Sequence, residues 1–316
     1  MMAIAFLFPG QGSQAAGMGK ELAAIYPPAR HAFDQADEAL GFRISQICFE
    51  GPEDKLKLTE ITQPAILTVS VAAFLVLHSK GFTPDFVAGH SLGEYSAHVA
   101  AGTLDFADAV RTVRNRGKYM QEAVPVGQGA MAAVLGMKLE DLQKVCEEAA
   151  QGQVCSPANI NSPDQIAISG SKAAVERAAE LARQRGAKRA IMLPVSAPFH
   201  CALMQPAQDR LAHDLRALTF HPMRVPVVKN FDAAPTTDTE QARDALIRQV
   251  TGAVQWERSM RALIGKGVDT FVEVGPGKVL CGLMRQIDRS KTCANVEDGA
   301  SLQRTLENLA ATRAGQ

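Results

Sequence analysis

The serine in the segment Gly89-His90-Ser91-Leu92-Gly93 has the surroundings of an enzymatic nucleophile. The segment follows a short apolar run and precedes a helical pattern, which is the strand–turn–helix context of a nucleophile elbow. On such an elbow the serine occupies a strained turn, and the flanking glycines let neighbouring backbone pass without a Cβ clash. The start of the helix would offer free N–H groups to an oxyanion. A buried turn in a glycine-rich loop is the alternative interpretation.

A nucleophilic serine needs a base, and the chain has seven histidines. His90 adjoins the serine, but neighbouring side chains diverge on a sharp elbow, so we interpret it as a packing residue. His98 belongs to a helix that leads away from the turn. His200, in the proline-braced segment LPVSAPFHC, lies where two predicted subdomains join, and a cleft residue belongs there. A core histidine bonded to backbone is the alternative. No acid is a clear third member, so a backbone or amide carbonyl is expected to orient the imidazole.

An arginine on the apolar face of a predicted helix is the candidate for binding substrate. The helix covers residues 105–123, and Arg116 falls on its apolar stripe, which consists of Ala109, Val113, Met120 and Ala123. An arginine that points toward an apolar face is costly unless it is paired. A structural salt bridge and a bound carboxylate account for this pattern equally well.

The glycine-rich segment FPGQGSQ, residues 8–14, follows the first strand-like run. It matches neither the phosphate loop of nucleotide hydrolases nor the dinucleotide-binding fingerprint. The N–H of Gln11 could instead be one oxyanion donor, opposite the N–H of Leu92. A tight structural turn is an equally good explanation of the glycines.

The strand and helix patterns predict two subdomains. Strand-like runs at 4–8, at 85–88 and in VDTFVEVGPGKVLCGLMRQI each lead into a glycine turn and then a helix, which predicts a hydrolase-like parallel sheet covered on both faces. The middle of the chain has the order βαββαβ of a ferredoxin-like unit. We therefore expect an α/β fold whose large domain comprises residues 1–125 and 197–316, with a smaller subdomain, 126–196, inserted into it.

Composition excludes several classes of protein and partner. The 316 residues are 47% apolar and 21% charged, with zero formal net charge, so no overall field favours nucleic acid or an anionic membrane. No leader-like segment and no apolar run of bilayer length are evident, and a monomer is expected. Histidines and cysteines lack metal-ligand spacing. The six cysteines form no CxxC pair, which predicts free thiols in a reduced, cytoplasmic protein (positions 48, 146, 155, 201, 281 and 293).

Six ordered motifs, spread over essentially the whole chain, resemble those of malonyl-CoA:acyl carrier protein transacylases. They are Gly10-Gln11-Gly12-Ser13-Gln14, Gly89-His90-Ser91-Leu92-Gly93-Glu94, Arg114-Asn115-Arg116-Gly117, Asn159-x-Asn161-Ser162-Pro163, Phe199-His200 and Gly275-Pro276-Gly277. The family includes stand-alone bacterial enzymes of fatty-acid synthesis and acyltransferase domains of polyketide and fatty-acid synthases.

The resemblance implies a catalytic constellation. Ser91 would be the acylated nucleophile and His200 its base, with the backbone N–H groups of Gln11 and Leu92 as the oxyanion hole. Gln249, in RQVTGAVQW, matches the position whose backbone carbonyl holds the histidine. The reaction would run by ping-pong transfer and would need no cofactor beyond the coenzyme A thioester that is its substrate.

The resemblance also implies the substrate and the partner. Arg116 would bind the malonyl carboxylate, and Asn159 matches a position near the active site. Met120 is a further candidate for binding substrate, and the ring of Phe199 would leave little room for an α-methyl branch. Malonyl-CoA and acyl carrier protein are the implied partners, and fatty-acid synthesis is the implied pathway. A polyketide acyltransferase, a serine hydrolase and a binding module with a decayed site are the alternatives.

Overall fold

The computed structural model describes residues 3–314, which form two sheets surrounded by helices. The strands, in chain order, are β1 (Ala3–Phe8), β2 (Phe86–Gly89), β3 (Gly129–Leu135), β4 (Cys155–Ser162), β5 (Gln165–Ser171), β6 (Arg189–Met192), β7 (Val227–Val228), β8 (Pro235–Thr236), β9 (Val268–Val274) and β10 (Thr292–Val296). The α-helices are α1 (Lys20–Ile25), α2 (Pro27–Leu40), α3 (Ile44–Glu50), α4 (Glu53–Leu56), α5 (Thr59–Ser79), α6 (Gly93–Ala101), α7 (Phe106–Glu122), α8 (Leu139–Ala150), α9 (Lys172–Gln184), α10 (Gln205–Ala217), α11 (Thr239–Arg248), α12 (Trp256–Gly265), α13 (Val279–Ile287) and α14 (Gly299–Ala314). A 3₁₀ turn, Ala202–Met204, precedes α10.

The larger sheet has six strands in the order β10-β9-β1-β2-β7-β8. All its neighbours are parallel except β7 and β8, which are antiparallel. Successive side chains of a strand point to opposite faces, and both faces of β1 are buried: Phe6 and Phe8 join the core around α5, whereas Leu7 packs with Trp256 on the other side. This confirms the predicted parallel sheet with two covered faces.

The three glycine-rich turns meet at one edge of this sheet. The strands β1, β2 and β9 are adjacent and parallel, so the turns that follow them, which begin at Pro9, His90 and Gly275, lie side by side at the carboxyl ends. Open α/β sheets bind ligands at this edge. The sheet therefore brings the FPGQGSQ loop next to the turn that carries Ser91.

The smaller sheet has four antiparallel strands in the order β4-β5-β3-β6. Its elements follow one another as β3-α8-β4-β5-α9-β6, and α8 and α9 cover one face through a separate apolar core. The ferredoxin-like unit is confirmed. The exact division of the chain at 126 and 196 stays a prediction.

Two expectations from the sequence were wrong. The helix α5 is long and apolar enough to cross a bilayer, although 83% of its apolar window is buried inside the protein. The helix shows little alternation of apolar and polar faces because other elements surround it. A helix in that position is expected to be apolar on all sides. The second correction concerns the cysteines: Cys281 and Cys293 are joined as a disulfide, with Cα atoms 5.4 Å apart, because α13 packs over β10. The other four cysteines are free.

Candidate active site

The turn between β2 and α6 holds Ser91 in a left-handed conformation, with φ of 52°. For a residue with a Cβ this conformation is strained and needs support from its surroundings. Asn230 supplies that support: its Oδ1 accepts the backbone N–H of Ser91 at 2.6 Å, and its Nδ2 donates to the carbonyl of Gly89 at 2.6 Å. One amide side chain thus fixes the end of the strand and the turn together.

His200 lies within hydrogen-bond distance of Ser91, with 2.7 Å between His200 Nε2 and Ser91 Oγ. The other ring nitrogen, Nδ1, faces two backbone carbonyls, those of Gln249 at 2.8 Å and Gly252 at 3.2 Å. Carbonyl oxygens only accept, so Nδ1 carries the proton and Nε2 is free to accept the serine proton. The structure therefore brings together a serine, a histidine and an orienting carbonyl, without an acid in the third position.

The imidazole of His200 is buried, with 3% of its surface exposed. Burial, first, and then the positive charge of Arg116 and the nearby His90 lower its pKa from 6.5 to about 3. His200 is consequently neutral at physiological pH, which is the form that a general base requires.

The backbone N–H groups of Gln11 and Leu92 belong to two loops in direct contact. The N–H of His90 donates to the carbonyl of Phe8 at 3.0 Å. A Cβ on Gly10 would lie 2.4 Å from the carbonyl oxygen of His90, so only glycine permits this approach. Within residues 3–314 no acceptor takes the N–H of Gln11 or of Leu92. Both groups border the cavity beside Ser91 and are free to bind an oxyanion there.

Arg116 lies on α7, and only 2% of its surface is exposed. Its Nη2 donates to Ser91 Oγ at 3.1 Å and to Gln249 Oε1 at 2.9 Å, and its Nη1 donates to Gln63 Oε1 at 2.9 Å. No carboxylate among the described residues forms an ion pair with it, so the structural salt bridge that its sequence pattern allowed is absent. Burial lowers the pKa of the guanidinium, which reflects the cost of burying a cation among neutral groups.

The cavity beside Ser91 has a volume of about 130 Å³. Its walls include every residue that the sequence placed at the substrate, together with several apolar side chains: Gln11, Gln63, His90, Ser91, Leu92, Arg116, Met120, Met131, Asn159, Leu193, Val195, Phe199 and His200. A second cavity of about 230 Å³ lies beside it, and Gln11, His90, Asn159 and Leu193 border both. Within residues 3–314, no group of three or more histidine, cysteine or acidic side chains could hold a metal ion.

His90 adjoins Ser91 in the sequence, but its side chain packs against other residues. Its Nε2 lies 2.8 Å from Asn161 Oδ1 on the smaller sheet, and its ring packs against Trp256 at 5.4 Å between centroids. The elbow does turn this side chain away from Ser91. It lines both cavities and also joins the two sheets.

Three polar residues at the site escaped the sequence interpretation: Gln63, Asn230 and the carboxylate of Glu94. Glu94 is fully buried, and its Oε2 accepts the N–H of Asn230 at 3.0 Å and the Nε2 of Gln249 at 2.7 Å. Burial raises the pKa of Glu94 to about 7. For Gln63 the sequence does contain one signal of a buried polar role, because it is a lone amide directly before the long apolar run of α5.

Comparisons with known proteins agree with this geometry. Residues 5–313 match the family model described as acyl transferase domain. The chain is 50% identical to the malonyl CoA-acyl carrier protein transacylase of Escherichia coli K12, over 97% of this chain and 100% of that protein. It is 49% identical to the Bacillus subtilis enzyme of the same name, over 98% of each.

Solved structures give the same result. An acyl carrier protein S-malonyltransferase from Vibrio cholerae superposes with a TM-score of 0.94 at 47% identity, covering 96% of this chain and 99% of that one. A malonyl-transacylase in complex with a type II polyketide-synthase acyl-carrier protein gives a TM-score of 0.95 at 46% identity, covering 97% and 99%. The chain belongs to the acyl transferase domain family.

Proposed function

We propose that this protein transfers a malonyl group from malonyl-CoA to the phosphopantetheine thiol of an acyl carrier protein through an ester on Ser91. The observation that carries the proposal is the position of Arg116. Its guanidinium reaches the hydroxyl that His200 also contacts, and it forms no ion pair with an acid of the described chain. A carboxylate one carbon beyond a thioester carbonyl would meet that cation while the carbonyl meets the serine. The names of the relatives support the same reaction.

In the first half-reaction, Ser91 Oγ attacks the thioester carbon and its proton passes to His200 Nε2. The negative charge that develops on the carbonyl oxygen is stabilised by the N–H groups of Gln11 and Leu92, each worth about 3 kcal/mol in comparable sites. The C–S bond breaks, the proton on His200 passes to the coenzyme A sulfur, and a malonyl ester remains on the serine.

In the second half-reaction, the thiol of the carrier's phosphopantetheine attacks the ester carbonyl. His200 takes the thiol proton and returns it to Ser91 Oγ as the C–O bond breaks, which regenerates the free enzyme. The second cavity, which shares four lining residues with the first, has room for the thioester arm of either substrate. Hydrolysis of the malonyl ester on Ser91 is suppressed because the cavity beside the serine is small and its walls are mostly apolar.

The setting of the reaction is part of the proposal. We infer a cytoplasmic, monomeric enzyme that supplies fatty-acid synthesis, and the name shared by the curated relatives, malonyl CoA-acyl carrier protein transacylase, supports that pathway. A type II polyketide pathway is the alternative, because one structural neighbour is bound to a carrier protein of that class.

Replacing the arginine tests the proposal. We expect Arg116→Ala to lose on the order of 2–5 kcal/mol of transition-state stabilisation in malonyl transfer, and much less in acetyl transfer, because only the malonyl group carries a free carboxylate. The measurement is the rate of each transfer, with mass spectrometry of the acyl-Ser91 adduct. Arg111→Ala, an exposed position on the same helix, is the control. Undiminished malonyl transfer relative to acetyl, or an adduct that water removes within one turnover, would overturn it.

A further inference from the structure

The partners of Arg116 are all electrically neutral. Two amide oxygens, from Gln63 and Gln249, and the hydroxyl of Ser91 accept its hydrogen bonds at 2.9–3.1 Å. The nearest acid in this network is Glu94, and the side chain of Gln249 stands between them: its Oε1 accepts from the guanidinium while its Nε2 donates to the carboxylate at 2.7 Å. The cation is therefore held in place without direct neutralisation.

A buried arginine is ordinarily matched by a carboxylate, because an unpaired buried charge is costly. Gln63 occupies the place where that carboxylate would stand. It is 1% exposed, lines the cavity and has the shape of glutamate, but its amide satisfies the hydrogen bond without adding charge. Its Nε2 donates to Met120 Sδ at 3.8 Å, a weak contact that leaves the amide oriented toward the arginine.

We propose that Gln63 and the side chain of Gln249 are positioning residues that set the preference for acyl groups ending in a carboxylate, by holding Arg116 with neutral acceptors so that the substrate supplies its first anionic partner. The inference rests on the proposed function, because it explains how that site selects its acyl group. Selection then follows from charge balance at the arginine as well as from the size of the cavity. An acyl group without a carboxylate leaves the cation unpaired in the closed site.

The sharpest test is the near-isosteric substitution Gln63→Glu, which offers Arg116 an internal carboxylate at the same position. Because the internal ion pair competes with the substrate, kcat/KM for malonyl-CoA is expected to fall about a hundredfold. The same quantity for acetyl-CoA should change less than about threefold, because no carboxylate is lost from that complex. Acylation of Ser91 by each thioester, measured at pH 8 by rapid quench and mass spectrometry, gives both values.

Two further variants separate charge from shape. Gln63→Met removes the acceptor but adds no charge, so malonyl acylation should slow while the preference for malonyl over acetyl persists. Gln35→Glu, exposed on α2, adds the same charge away from the site and should change neither rate. Circular dichroism of all three variants checks that they fold.

The outcomes distinguish this inference from the function on which it rests. If the unaltered protein does not prefer malonyl-CoA, the proposed function fails. If it does prefer malonyl-CoA and Gln63→Glu keeps the same ratio of malonyl to acetyl, neutral acceptors do not set the preference and only the inference fails. Equal loss of preference in Gln63→Met and Gln63→Glu would likewise overturn it, because charge would then not be the cause.

Discussion

At the scale of single residues, the proposed base, His200, and the cation of Arg116 are coupled through space. The charge of Arg116 is one of the causes that hold the pKa of His200 at about 3, after burial. A substrate carboxylate bound to the arginine would offset that charge and make the imidazole a stronger base when the correct acyl group is present. Binding and proton transfer would thereby favour the same substrate.

The lowered pKa of His200 predicts an unusual pH profile. In the free enzyme the neutral imidazole persists well into acid, so kcat/KM for malonyl-CoA should fall less than about threefold from pH 8 to pH 5.5. A base with an ordinary histidine pKa would lose about tenfold over the same range. The measurement is initial rate at low substrate concentration across that range.

One other group of the network can titrate between these pH values. Burial raises the pKa of Glu94 to about 7, and its Oε2 is linked through Gln249 to the arginine. The pH profile is therefore repeated in Glu94→Gln, which removes that titration. A tenfold acid loss that persists in the variant would belong to the base and would contradict the prediction.

At the scale of elements, the site depends on close contact between β1, β2 and α6. A Cβ on Gly93, the first residue of α6, would lie 2.0 Å from the carbonyl oxygen of Phe8. One on Gly89 would lie 1.9 Å from the backbone of Gly93. The flanking glycines of the elbow thus let the helix start directly over the ends of two strands, which leaves the free N–H of Leu92, the residue before the helix, at the border of the cavity.

Alanine at one of these positions should separate the elements. We expect Gly93→Ala to lower the free energy of unfolding by roughly 3 kcal/mol and to reduce acylation of Ser91, because backbone atoms must move to admit the methyl group. Gly282→Ala is the matched control: this glycine lies within α13 with no neighbouring atom within 4 Å of the added Cβ, and the change should stabilise by about 0.5–1 kcal/mol. Urea denaturation measures both. Equal effects of the two substitutions would contradict the close-contact argument.

The sequence predicted these elements but not all the contacts between them. Glycine turns, short apolar runs and the helical period predicted the two sheets and placed Ser91 on a turn, because those signals are local. The contact of Gln63 with Arg116 and that of Asn230 with the elbow join residues 53 and 139 positions apart. An amide side chain can donate to or accept from many kinds of group, and its partner here is distant in the sequence. No spacing pattern can therefore predict such a pair.

At the scale of the whole molecule, the site lies where the two sheets meet. A parallel bridge joins Asn159 of the smaller sheet to Val254, and Ser162 Oγ donates to Gln286 Oε1 at 2.7 Å on the larger body. His200 follows the last strand of the smaller sheet and bonds to Gln249 of the larger body. Anything that loosens this junction would therefore move the imidazole of His200 away from the hydroxyl of Ser91.

A buried histidine on α6 makes the stability of the whole fold sensitive to acid. His98, on α6, is fully buried, and neither of its ring nitrogens has a hydrogen-bond partner among residues 3–314. Its ring meets that of Phe220 edge-on at 6.2 Å between centroids. Burial lowers its pKa from 6.5 to about 3. The unfolded chain therefore binds a proton below pH 6.5 that the folded protein refuses until pH 3, and the free energy of unfolding falls as the pH drops through that window.

Removing this titration should flatten the acid side of the stability profile. Between pH 7 and pH 5, the titration of His98 is expected to lower the free energy of unfolding by about 2 kcal/mol. The free energy of unfolding of His98→Leu should therefore fall by about 2 kcal/mol less over this range than that of the unaltered protein. Glu94 and Glu273, whose pKa values are raised by burial, act in the opposite direction, so the difference between the two proteins isolates His98. Urea denaturation at both pH values provides the measurement, with His31→Leu, an exposed position on α2, as the control for the change of side chain. Parallel losses in His98→Leu and the unaltered protein would show that this buried ring is protonated in the folded state and that its burial does not govern acid unfolding.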